Sequence, residues 1–413
     1  MTVSRIVIAG GGQCAAAAAA TLRSRGFDGQ LTIVSAEAEL PYERPPLSKD
    51  YLLGKMTAAQ LLIRPPAWFT EQDIGVCPGT SVTEVRPGDH RLSLSDGRTL
   101  GYDLLLIASG GRPRPLPGVT DERVVYLRSR SDSDDLGHRI RAAGEIVVLG
   151  GGFIGCEVAA AARTLGARVT ILEMRDTLLP AALDGDAGAV IADIHREAGV
   201  AVRTGEPVRS VTAGPDGVVV RTDRGELRCG LLLVATGMLP NTGFLAGTGL
   251  DDPGGVTVDE FCRTGVDGVF AAGDVASTYH RDHGTHLRVE HYDNAIRQGA
   301  AAAAAMLGGG EPYADPHWFW SDMYQHNLQS VGLAYRCDQT VLRGSLADGQ
   351  FSVFYLAGGV VRAVFALNRP KDVSAGQRMV AARLRPDPRV LADEGADLRE
   401  LIRPSNRPPR RQP

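Results

Sequence analysis

One local pattern occurs twice in this chain and leaves few folds open. Residues 5–9 (RIVIA) form a short apolar run, Gly10, Gly11 and Gly12 follow at once, and the small-residue stretch 13–25 predicts a helix ending at Gly26. A strand over 31–34 comes next, with Glu37 a little beyond it. The succession returns 140 residues later as a strand over 146–149, Gly150-Gly151-Gly152, a helix over 153–165, Gly166, and a strand over 168–172 ending on Glu173. A continuous apolar run suits a strand buried on both faces of a parallel sheet, and a glycine just past a helix suits its left-handed C-terminal residue. Each copy reads as a βαβ unit, and the chain as an α/β protein.

The turns themselves carry chemistry. Gly10-x-Gly12-x-x-Ala15 and Gly150-x-Gly152-x-x-Gly155 each follow a strand and open a helix, so backbone N–H groups at the helix start can meet a pyrophosphate. An acid about 20 residues on, Glu37 or Glu173, can accept hydrogen bonds from a ribose. One such turn is weak evidence, since glycines serve tight βα turns without any ligand. Two in the same context point to two nucleotide sites. Further landmarks are paired as well: 104–108 (LLLIA) runs into Ser109-Gly110-Gly111-Arg112, and 231–235 (LLLVA) into Thr236-Gly237. A strand over 269–272 delivers Asp274 at its end, where the carboxylate can hold a polyol hydroxyl or cap a following helix.

Composition sets the frame for these sites. A length of 413 residues suits two or three domains at about 150 residues each. Glycine, 50 of the residues, is far above the usual share of roughly 7% because such turns need it. With 44% hydrophobic and 22% charged residues the chain is not a disordered one. No apolar run reaches 18 residues, and the start lacks the order of a signal peptide, so a cytoplasmic protein without membrane contact is expected. A net charge of −4 excludes the global basic field that nucleic acid would need. The six cysteines (14, 77, 156, 229, 262 and 337) show no C-x-x-C and no metal-ligand spacing, so neither disulfide framework nor metal site is expected.

Six stretches make a resemblance specific: LPYERPPLSKDYL (40–52), GGFIGCEVA (151–159), ATGMLPN (235–241), VFAAGDVA (269–276), VEHYDNAIRQG (289–299) and FWSDMY (319–324). Together, from about residue 4 to 385, they resemble the FAD-dependent ferredoxin reductases of bacterial oxygenase systems, within the two-dinucleotide-binding flavoproteins. Ala15 for the usual third glycine, Ser109 for a common threonine and Tyr292 for a frequent tryptophan are the departures.

The resemblance implies two Rossmann-like dinucleotide-binding domains, for FAD and NAD, plus an α+β C-terminal domain. An FAD domain over 1–113 and 240–312 would flank an NAD(H) domain over 114–239. Residues 313–400 would form the third domain, with a hairpin over 351–356 and 360–367, and 401–413 a disordered tail. Gly10, Gly12, Ala15, Glu37, Arg44, Pro45, Lys49, Arg112, Asp274, Glu290, His291 and Tyr292 would serve FAD; Gly150, Gly152, Gly155, Glu173 and Gly237 would serve NAD. Lys49, one of only three lysines with Lys55 and Lys371, would lie by the flavin N5 and pair with Glu157, placing a cation where hydride is accepted. His291 has no catalytic role in this reading, and Trp320 can be core or face the cofactor.

Cysteine-dependent relatives in this superfamily carry their thiols near the stretch occupied here by residues 41–44, yet no cysteine occurs between 15 and 76. Cys14 and Cys156 read as small packing residues. The implied activity is hydride transfer from NADH to FAD, then single electrons to a small iron–sulfur ferredoxin, [2Fe–2S] in type, serving a cytochrome P450 or Rieske-type ring-hydroxylating oxygenase. The other class in view is a redox-sensing or scaffold flavoprotein of similar architecture with slow turnover. Arg297, Arg336 and Arg362 are candidates for steering an acidic ferredoxin. Glu173 favours NADH over NADPH, with Arg175 as the complicating neighbour.

Overall fold

The computed structural model describes residues 3–402 apart from 181, 184, 216 and 282. The expected disordered tail lies, from residue 403 on, outside the described residues. By their contacts the residues fall into two compact units, Met1–Leu178 with Ile194–Asp315, and Leu179–Asp193 with Pro316–Pro413.

The first unit runs through β1 (Arg5–Ala9), α1 (Gln13–Ser24), β2 (Gln30–Val34), β3 (Ile74–Cys77), β4 (Leu104–Ile107), β5 (Val124–Val125), α2 (Arg130–Ala143), β6 (Glu145–Leu149), α3 (Phe153–Thr164), β7 (Arg168–Leu172), β8 (Ala201–Arg203), β9 (Leu232–Val234), β10 (Val269–Ala271) and α4 (Tyr292–Met306). Two five-stranded parallel sheets result, ordered β10-β4-β1-β2-β3 and β5-β9-β6-β7-β8. They share one topology. The strand entering the glycine turn is central, the strand leaving the crossover helix pairs on one side, and the later leucine-rich strand pairs on the other. Only the fifth strand differs in origin: β10 comes from far downstream, β5 from upstream.

The apolar runs are buried on both faces, as a parallel sheet requires. Ile6, Ile8, Leu31 and Ile33 pack with Ala18 and Leu22 of α1 and Ala302 and Met306 of α4. Val7, Ala9, Leu105 and Ile107 pack instead with Val85, Leu92 and Tyr102. The alanine-rich faces of α1 and α4 let their backbones approach closely, since small side chains set a short interaxial distance. A Cβ on Gly299 of α4 would stand 2.5 Å from the Cys14 carbonyl oxygen. Helix α2 starts with a capping box between Ser129 and Asp132 and stops at Gly144, where φ is +62°.

The second unit contains β11 (Trp318–Met323), β12 (His326–Gly332), β13 (Gln339–Ser345), β14 (Gln350–Ala357), β15 (Val360–Leu367) and α5 (Pro370–Ala381). Its antiparallel sheet has the order β11-β12-β15-β14-β13, and the hairpin read from the sequence is the β14–β15 pair. Helix α5 lays Val373 and Met379 against Phe354 and Val364. Tyr355 Oη donates to the Ala182 carbonyl at 3.0 Å, holding the 179–193 segment in this unit. Among the described residues no helix is long and apolar enough to cross a membrane.

Candidate active site

At both turns the closing strand leaves no room for a side chain. Gly10 has φ +137°, and a Cβ there would lie 2.1 Å from the Ala108 carbonyl oxygen; Gly150 has φ +109° and faces Ala235 O at 2.4 Å. Only glycine meets both demands. Gly12 and Gly152 are the extended residues that open α1 and α3, and no side chain caps either helix. Nothing lies within 4 Å of where their Cβ atoms would project. Uncapped helix starts with open space beside them fit a pyrophosphate at each turn.

The turns differ at the third position. A Cβ on Gly155 would fall 2.0 Å from Gly150 O, whereas Ala15 sits fully buried in the first turn. Helix α1 therefore stands further from its own turn than α3 does, which is why alanine fits only there.

The acids are not equivalent either. Glu173 follows β7 directly, is buried, and accepts from Gly151 N at 2.7 Å and Arg175 N at 2.8 Å. In the first sheet that place belongs to Ser35, and Glu37 is two residues on. The Glu37 carboxylate accepts from Tyr42 Oη and from Arg44 Nη2, the latter at 2.5 Å. Burial pushes the Glu37 carboxyl up, but Arg44 and Tyr42 outweigh it and hold the group below the ordinary carboxylate range. Strand β7 ends at Leu172, so the strand that would have aimed Arg175 alongside Glu173 does not continue that far.

Arg128, which the sequence reading missed, joins the candidate site. Arg44 Nη1 donates to Arg128 O at 2.7 Å, and the Arg128 guanidinium pairs with Asp274 at 2.9 Å. Glu37, Arg44 and Asp274 are thus joined through a segment lying just before α2. The signal available was an arginine at the end of an apolar run, directly ahead of the Ser129 capping box. Asp274 caps no helix: the next element is the strand Ala276–His280, because the chain turns into a small sheet instead.

Lys49 and Glu157 meet. Pro45 begins a single 3-10 turn, Pro45–Ser48, which ends by presenting Ser48 and Lys49 to α3. Lys49 Nζ lies 2.9 Å from Glu157 Oε1, and Ser48 Oγ donates to the other carboxylate oxygen. Ser48, absent from the expected set, is as buried as Glu157. A phosphate-turn helix thereby delivers a buried carboxylate to a lysine from the other sheet's loop.

The remaining expected residues spread around this centre. Tyr292 opens α4 and donates to Glu43 Oε1 at 3.0 Å. His291, the residue before it, is kept below its ordinary pKa by burial. Glu290 pairs with Arg288, which also reaches Asp274 O at 3.2 Å. Arg112 is not drawn into this network; it is exposed on a short strand and bonds Pro240 O and Asn241 Oδ1. Gly237 has φ +100°, and its carbonyl accepts from Arg114 N. In the second unit Trp320 stacks on Trp318, with centroids 4.9 Å apart. All six cysteines are free, and burial pushes the Cys14 and Cys156 thiols up.

Two parallel sheets of one topology, each with an open glycine turn, define a protein of the two-dinucleotide-binding class. The chain belongs to the pyridine nucleotide-disulphide oxidoreductase family, whose model matches residues 4–299, and a reductase C-terminal model matches 318–402. It is an oxidoreductase. It is 39% identical to the ferredoxin–NAD(+) reductase component of the anthranilate 1,2-dioxygenase system of Burkholderia cepacia, over 97% of this chain and 100% of that protein. To putidaredoxin reductase of Pseudomonas putida it is 36% identical, over 96% of each. Among solved structures, the covalent putidaredoxin reductase–putidaredoxin complex matches with a TM-score of 0.93 at 35% identity, over 97% of this chain and 99% of that one.

Proposed function

We propose that this protein is an FAD-dependent NADH:ferredoxin oxidoreductase that supplies a cytochrome P450 or a Rieske-type oxygenase. The observation that carries the reading is the Lys49–Glu157 pair, with Glu157 buried, joining the loop that follows β2 in the first sheet to helix α3 of the second. Relatives along the whole chain, named as reductases of dioxygenase and putidaredoxin systems, support it. When bound, FAD accepts an electron pair as hydride and releases electrons singly, which suits a [2Fe–2S] acceptor.

The chain's own groups divide the work. The N–H groups opening α1 at Gly12 hold the FAD pyrophosphate, and Asp274, fixed by Arg128, holds a polyol hydroxyl. Those opening α3 at Gly152 hold the pyrophosphate of NADH, with Glu173 toward its adenosine ribose. Glu157, itself held by Ser48, aims the Lys49 ammonium, so a cation stands where negative charge arrives. On this reading 1–113 with 240–312 serve FAD, 114–239 serve NADH, and 313–400 form the C-terminal domain. Electrons leave without a thiol relay. Six unpaired cysteines suit the cytoplasm.

The test is to load the protein with FAD, mix it anaerobically with NADH, and then add a [2Fe–2S] ferredoxin. Bleaching of the flavin followed by sustained ferredoxin reduction is expected. Failure to bind FAD overturns the cofactor reading, and flavin reduction without turnover on any ferredoxin supports the sensing or scaffold class instead.

A further inference from the structure

Gln298 is 1% exposed in the middle of α4, on a helix that otherwise buries mostly alanines. A buried amide is tolerated only when its polar groups are bonded, and here both are. Its Oε1 accepts from Gly273 N at 2.8 Å, and its Nε2 donates to Thr278 Oγ1 in the strand Ala276–His280. One turn earlier Asn294 is also buried; its Nδ2 donates to Val289 O at 2.9 Å, and its Oδ1 accepts from Tyr313 Oη at 2.8 Å. The bond to Gly273 falls at a turning point of the chain. Strand β10 ends at Ala271, Gly273 has φ +79°, and Asp274 follows it. The next residue on α4, Gly299, closes against the first turn of α1, where its Cβ would stand 2.5 Å from Cys14 O. Gly273 meets the same residue, and a Cβ there would lie 3.1 Å from Cys14 Cβ. Two successive residues of α4 thus hold the end of β10 and the start of α1 against each other.

We infer that Gln298 is a positioning residue for FAD: it sets the separation between the start of α1, which holds the pyrophosphate, and Asp274, which holds a polyol hydroxyl. The inference rests on the FAD reading above. A ligand that engages two points at once binds tightly when their spacing already matches its own, because no binding energy is lost to reordering the site. Arg128 holds the Asp274 carboxylate, and Gln298 holds the backbone next to it.

Equilibrium dialysis of the apoprotein against FAD tests this. Gln298→Met nearly keeps the volume and removes both hydrogen bonds, and should weaken FAD about tenfold, the factor for a lost bond to a buried group. Gln298→Glu, whose carboxyl burial keeps protonated with one acceptor and one donor, should recover most of that affinity. In an Asp274→Ala background the Gln298→Met change should cost less than about twofold, because residues that act through one another do not add. Thr278→Val frees only the far end of the amide and should weaken FAD about two- to threefold, again only when Asp274 is present; it carries the test if Gln298→Met does not fold. FAD affinity unchanged in these variants, or the same loss with and without Asp274, would overturn the inference. A parent protein that does not take up FAD, or an Asp274→Ala variant that binds it as the parent does, would overturn the FAD reading itself.

Discussion

Lys49 and Glu157 stand 108 residues apart in sequence, yet their side chains meet at 2.9 Å with Glu157 almost wholly buried. A carboxylate in that position is stable only when its oxygens are satisfied, here by Lys49 on one and Ser48 on the other. The pair fixes a cation on the first sheet's loop by means of the second sheet's helix.

Replacing Lys49 by Met should slow flavin reduction by NADH on the order of a hundredfold, as for a lost group that stabilises developing charge. FAD affinity should change far less. Stopped-flow bleaching of the flavin under anaerobic conditions measures the first, and apoprotein titration the second. A reduction rate equal to that of the parent protein would return Lys49 to a structural role.

Gly155→Ala and Ala15→Gly should behave as opposites. The added methyl at 155 meets Gly150 O at 2.0 Å and forces α3 off its turn, costing about 1–3 kcal/mol and raising KM for NADH. Ala15→Gly removes a methyl from a turn that already accommodates it and should leave NADH binding alone. Thermal melts beside NADH titrations would expose any failure of this contrast.

Arg128→Ala should release FAD. It removes the cation 2.9 Å from Asp274, whose side chain is only 14% exposed, and leaves in place the backbone carbonyl of residue 128 that Arg44 holds. Loss of a charge-assisted contact of this kind corresponds to about a ten- to a hundredfold rise in the dissociation constant. Fluorescence of released flavin on dilution reads it directly, and retention equal to the parent's would sink the assignment.

NADH should be preferred to NADPH. A 2′-phosphate about 4 Å from the Glu173 carboxylate is repelled by roughly 4 kcal/mol at an effective dielectric near 20, before salt screening. Glu173→Gln should narrow the preference at least about tenfold. Ratios of kcat/KM for the two nucleotides decide the matter, and a parent protein that favours NADPH would refute it.

Acid should destabilise the fold through His195. Burial pushes this residue, in the helix Gly185–Glu197, down from the usual range to about 4. A depressed value in the folded state means that stability is fully present above the unfolded pKa, near 6.5, and is lost as pH falls toward 4. The loss amounts to about 3 kcal/mol from this one group. Denaturant titrations at pH 7 and pH 4 measure it, and His195→Gln should flatten the difference. An equal loss in that variant would assign the acid sensitivity elsewhere.

The sequence by itself determined the two sheets and their glycine turns, while the meeting of Lys49 with Glu157 was implied by the resemblance to a known family. Gly10 and Gly150 are legible because a tight strand-to-helix turn makes a local demand for positive φ, to which the carbonyls of Ala108 and Ala235 add a tertiary one. Apolar runs of four or five residues are equally legible, since a strand covered on both faces has no polar side to interrupt the run. Tertiary structure alone decided what these local rules leave open. It put Ser35, rather than Glu37, in the first-sheet position equivalent to Glu173; it sent the chain after Asp274 into a strand; and it brought Arg128 to a carboxylate 146 residues away. It also set the distance of α1 from its turn, which admits Ala15 where α3 demands Gly155. Such choices depend on how helices and loops distant in sequence pack, and no residue's own propensity encodes the partner that packing will bring to it.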